Sequence, residues 1–154
     1  MLFFGTKSKK EYYMNKSTDE LLKALQSKKT YEEFFEEEIG ELFFSSISEY
    51  LELLLTEKKL KKSDVILKGN LDKNYAYQIF NGNKTNPSRN KVLMLAFGMG
   101  LSLSETRKLL KIASLSDLYV RSPRDSIIIY CLTKRLSLIT CNEYLNDFSL
   151  ELLE

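Results

Sequence analysis

The chain has 154 residues, 44% of them apolar and 29% charged, with a formal net charge of +2. That balance excludes an intrinsically disordered chain. The absence of any run of about 18 apolar residues excludes a membrane-crossing helix. There is no histidine, and the two cysteines, Cys131 and Cys141, fit no zinc spacing, so no metal site, cofactor or enzymatic activity is expected. Buried, reduced thiols in a cytoplasmic protein are the expectation.

The near-neutral total hides a strong asymmetry. Residues 1–57 hold seven Lys against twelve Asp and Glu, and residues 58–91 hold nine Lys and Arg against two Asp. The remainder balances at seven against seven. Such local concentration of positive charge is the footprint of a nucleic-acid contact, because each neutralised phosphate releases counterions.

With only two prolines and six glycines, the chain has little punctuation for strands, and its long periodic runs predict an all-α fold. Residues 1–13 (MLFFGTKSKKEYY) show no period and lack the basic start and apolar core of a signal peptide. Met14 offers a second start, which would make 1–13 dispensable. Helices are predicted at 17–27 and 31–39, opened by the capping-box pairs Ser17–Glu20 and Thr30–Glu33. In the second, Phe34, Phe35 and Ile39 oppose five glutamates between Glu32 and Glu38. A greasy face with a solvated acidic back is the ordinary reading. A sharper one has the acidic face fold over the basic segment and compete with phosphate, which screening over roughly 8 Å would limit. Helix 43–58 carries an apolar stripe of Phe44, Ile47, Leu51, Leu54 and Leu55, read as core.

Short helices at 63–69 and 73–81 follow, separated by a turn at Asn70. Val65, Leu71, Ala76 and Ile79 fall on inward faces, and Asp72 is placed to cap the second helix. That helix turns Lys73, Asn74, Tyr75, Tyr77 and Gln78 outward. Amide side chains, a phenol and a lysine suit base-edge recognition better than mere solubility, since Asn and Gln can bond bidentately to adenine.

Here the chain resembles the phage-repressor-like (Cro/repressor, XRE) helix-turn-helix family over residues 43–113. Val65, the turn residue Asn70, Leu71, Ala76 and Ile79, then Gly82 closing the second helix and Pro87 opening the next element, follow the family pattern in order. The chain departs from it at Lys62, at Ile66 where a small residue is usual, and at Asn70, with Gly69 where an apolar residue is common. The resemblance implies a lambda-repressor-like bundle that binds double-stranded DNA as a transcription regulator, more often a repressor or autoregulator. It assigns base reading to Lys73, Asn74, Tyr75 and Gln78. It assigns backbone contacts to Lys62, Ser63, Tyr77, Lys84, Thr85, Asn86 and Arg89. It also implies a homodimer on half-sites about 34–36 Å apart.

Helices are further predicted at 88–98, 103–113, 123–135 and 138–147. Ser102–Glu105 and Thr140–Glu143 have capping-box spacing, and Ser122-Pro123 marks another start. Residues 88–110 align without gaps on 123–145 at an offset of 35, Arg89 on Arg124 and Leu101-Ser102-Leu103 on Leu136-Ser137-Leu138. In that register Ser137, not Thr140, caps the last helix. Two copies are too few for a solenoid. The expected organisation is an N-terminal extension at 1–42, a DNA-binding domain at 43–114 and a C-terminal helical hairpin at 115–154 packed on it. The alternative function is a protein-interaction module, antitoxin-like or an adaptor. It would hold a partner protein through the acidic N-terminal helices or the C-terminal hairpin.

Overall fold

The computed structural model describes residues 16–38 and 46–154, and among them are nine helices and no strand. These are α1 (Thr18–Ser27), α2 (Tyr31–Glu38), α3 (Ile47–Lys58), α4 (Lys62–Lys68), α5 (Lys73–Phe80), α6 (Arg89–Gly98), α7 (Leu103–Ile112), α8 (Pro123–Thr133) and α9 (Leu138–Asp147). The chain divides into two compact units, residues 1–44 and 45–154. The all-α expectation holds. The expectations for residues 1–13, Ile39 and Phe44 lie outside the described residues.

Helix starts follow hydrogen-bond chemistry. Ser17 and Ser102 form complete capping boxes with Glu20 and Glu105. Ser46, Asp72, Ser88, Ser122 and Ser137 each accept from the backbone N–H three residues on. Each such cap is worth about 1 kcal/mol. Thr140 lies inside α9, because Ser137 already meets the free donor at Thr140 N. Helix α3 starts at Ile47 rather than near 43, behind the Ser46 cap.

Six of the nine helix ends among the described residues share one device. Leu60, Leu71, Leu101, Leu115, Leu136 and Leu150 each donate a backbone N–H to the carbonyl five residues back. The residue before each leucine is left-handed: Lys59, Asn70, Gly100, Ser114, Arg135 and Ser149, with φ between 49° and 63°. This is the Schellman closure, which satisfies carbonyls the helix leaves free and tucks in an apolar side chain. Asn70 thus takes the left-handed turn conformation expected of it.

In the first unit α1 packs on α2. Lys28 pairs with Glu37 at 2.5 Å and Lys16 pairs with Glu38. Two of the five glutamates of α2 are therefore engaged inside their own unit.

In the second unit α3 packs on α5 and α7, α4 on α6, and each later helix on its hairpin partner. Leu51, Val65, Ala76, Ile79, Leu93, Leu95, Leu109, Leu110, Ile128 and Leu145 are fully buried. The α4–α6 crossing explains the glycine at 69. A Cβ on Gly69 would lie 2.8 Å from the Met94 carbonyl oxygen, and one on Gly98 would lie 2.4 Å from that of Val65. The small residues that let the backbones approach are Gly69 and Gly98, which leaves Ile66 free to be large and buried.

The 35-residue offset is also a repeat of contacts. Arg89 donates from Nε to the Ser116 carbonyl at 3.0 Å and from Nη2 to that of Asp117 at 3.1 Å. Arg124 donates from Nε to the Glu151 carbonyl at 2.8 Å and from Nη2 to that of Leu152 at 3.1 Å. Each arginine thus ties the segment leaving its hairpin back to the start of that hairpin. Leu118 and Leu153 occupy matching buried positions in those two segments.

Candidate nucleic-acid interface

Helix α5 is held from beneath and left open above. Ala76, Ile79 and Phe80 are buried, and the Asp72 carboxylate accepts from Tyr75 N at 2.9 Å to fix the first turn. The opposite face presents Lys73, Asn74, Tyr77 and Gln78, all exposed. Asn81 is the C-cap, and Gly82 follows it in the left-handed region at φ 85°. The loop returns along the helix through a bond from Lys84 N to the Gln78 carbonyl at 2.9 Å.

That return brings charge to the phenol. Tyr75 is half-buried, and its ring lies 4.8 Å from the Lys84 ammonium and 5.8 Å from that of Lys91. Both distances are within cation–π range. The contacts orient two cations beside the exposed face of α5. Among the described residues Lys73, Lys84 and Lys91 form no ion pair. Lys91 was not singled out by sequence, although it closes the basic segment and lies three residues beyond the Ser88 cap.

Other cations of the segment are already engaged. Arg89, expected at phosphate, instead grips Asp125 through Nη1–Oδ1 at 3.1 Å and Nη2–Oδ2 at 2.9 Å. With its two carbonyl bonds, the guanidinium is held at the hairpin junction by four hydrogen bonds. Lys62 lies 2.7 Å from Glu52 and 5.5 Å from the Phe80 ring, so its charge is partly offset. Lys58 pairs with Glu105 at 3.0 Å. Burial pushes the Glu105 carboxyl up, but the Ser102 N–H and the Lys58 ammonium outweigh it and hold the group below its ordinary value.

The remaining expected backbone residues lie on α5 itself or on the elements flanking it in the chain. Ser63 is exposed in the first turn of α4, and Thr85 and Asn86 are exposed in the loop before α6. Tyr77 is 37% exposed and rests edge-on against Phe80 at 6.4 Å. The structure therefore groups Lys73, Asn74, Tyr75, Gln78, Lys84 and Lys91 around one helix and separates Arg89 from them. Cys131 and Cys141 are free and buried, and burial raises both thiols above their usual value, which makes them poor nucleophiles at neutral pH. Comparison with protein-family models, curated proteins and solved structures finds no match to this chain.

Proposed function

We propose that the chain is a sequence-specific double-stranded-DNA-binding protein of the phage-repressor-like helix-turn-helix class. It acts as a transcription regulator, a repressor or autoregulator. Helices α4 and α5 form the motif, and α5 enters the major groove. Asn74 and Gln78 make base-edge hydrogen bonds, each good bidentate pair contributing about 1–3 kcal/mol of discrimination. Tyr75 and Lys73 complete the reading face. Lys84 and Lys91 contact phosphates alongside, with Thr85 and Asn86 in the same loop. The chain binds as a symmetric dimer on half-sites about one helical turn apart.

One observation carries this reading. A solvent-facing helix bears amides and a lysine on its outer side, and two cations that form no ion pair among the described residues are drawn beside it by a tyrosine ring. A surface helix that only confers solubility would carry paired Glu and Lys instead.

The test is a titration of duplex DNA at several salt concentrations. Wild-type affinity should fall steeply with salt, and Lys84→Ala and Lys91→Ala should each flatten the slope by about one unit. Arg89→Ala, in whatever fraction stays folded, should leave the slope unchanged. Gln78→Ala should relax preference at one base position with little loss of nonspecific affinity. Absence of salt-dependent DNA binding would overturn the reading.

A further inference from the structure

The second unit carries a groove of about 840 Å³, and none of its described lining residues belongs to α5. It runs along three successive turns: the one after α4, the α6–α7 turn and the α8–α9 turn. Leu67, Phe97, Leu101, Leu136 and Ile139 are among its lining residues. We propose that this groove docks an acidic amphipathic helix of a partner protein.

Two observations carry the assignment. The first is the shape of the lips. Leu67 is 79% exposed and Ile139 72% exposed, and both line the groove. A small ligand seated between them would leave both lips wet. A helix laid along the groove covers them while placing apolar anchors at i, i+4 and i+7 inside. Exposed apolar side chains gathered around one concavity are the mark of an interaction surface.

The second observation is charge. Lys68 and Arg135 line the groove, and no Asp or Glu among the described residues does. Arg135 is held in place by a bond from Nη1 to the Gly100 carbonyl at 3.0 Å, which leaves its other donors for an incoming carboxylate. Lys68 makes no ion pair among the described residues. A helix with glutamates flanking its apolar stripe meets both cations. A basic helix meets like charge at both cations, and complementarity of this kind selects between partners.

The experiment uses the full chain and two fluorescent synthetic helices, one with leucines on one face and glutamates on the other, and one with lysines replacing the glutamates. The acidic helix should bind saturably, roughly tenfold or more tightly than the basic one. Leu67→Asp and Ile139→Asp should abolish that binding with an unchanged circular dichroism spectrum, because both side chains already face solvent. Lys68→Glu with Arg135→Glu should reverse the preference. Equal binding of both helices, or unchanged affinity in the Leu67 and Ile139 variants, would overturn the proposal. Self-association of the wild-type chain that disappears in Ile139→Asp would also overturn it, in favour of a second copy in the groove. No DNA enters these measurements, so their failure and failure of the DNA reading are distinguishable.

Discussion

The hairpins α6–α7 and α8–α9 use the same parts but depend on them unequally. Arg89 and Arg124 tie down equivalent carbonyls, yet Arg89 closes on the carboxylate of Asp125, whereas Arg124 closes on the amide of Asn90 through Nη2 at 3.0 Å. Gly98 sits where α4 crosses α6, while its counterpart Thr133 is exposed. The first hairpin is packed from two sides and must fit both; the second must fit mainly the first. Position in the stack, more than local sequence, decides which copy tolerates change.

Substitutions at equivalent positions should affect the two hairpins unequally. Gly98→Ala should cost about 3 kcal/mol, because the new methyl meets backbone that must shift, while Thr133→Ala should stay within about 0.5 kcal/mol. Urea denaturation of the two variants reads the difference directly. Arg89→Ala should cost about 2–3 kcal/mol, since it strands a largely buried carboxylate. Arg124→Ala should cost about 1 kcal/mol, as it loses only neutral acceptors. Equal losses at the two arginines would refute the asymmetry.

A smaller effect separates the segments that follow each hairpin. Asp117, after the first, pairs with Arg107 at 2.8 Å. The equivalent of Arg107 is Asn142, which instead bonds the backbone of Leu153 in both directions. The Arg107 guanidinium holds the Asp117 carboxyl below its ordinary value. A folded pKa below the unfolded value of about 3.9 stabilises fully above that value and is lost as pH falls through the folded pKa. Asp117→Asn should therefore lower the thermal midpoint slightly at pH 6, by under about 1 kcal/mol for so exposed a pair, and the difference from wild type should shrink as the pH falls below the unfolded value.

Much of the helical framework was legible because its signals are local. Ser17, Asp72, Ser102 and Ser122 announce helix starts within four residues, and Asn70 announces the turn. Val65, Leu71, Ala76 and Ile79 announce a buried side by spacing alone, and all four are buried. What escaped notice depends on distant partners. Arg89 counts as a free cation until Asp125, 36 residues on, is brought beside it. Lys91 gains interest only when the loop lays Tyr75 between it and Lys84. Gly69 reads as a departure until Met94 arrives across the crossing. The alignment of Arg89 with Arg124 was the one long-range hint in the sequence, since an arginine repeated in a second hairpin points to a shared structural task.

Asp125 has a consequence for how the second unit comes apart. Its Oδ2 receives both Arg89 and the backbone N–H of Tyr119, at 2.9 and 3.0 Å, and its own N–H is anchored by the Ser122 hydroxyl. The carboxylate therefore fastens the start of α6 and the linker out of α7 to the first turn of α8. Peeling the last hairpin away would orphan both attachments together, so this end of the molecule should melt in a single cooperative step rather than fray turn by turn.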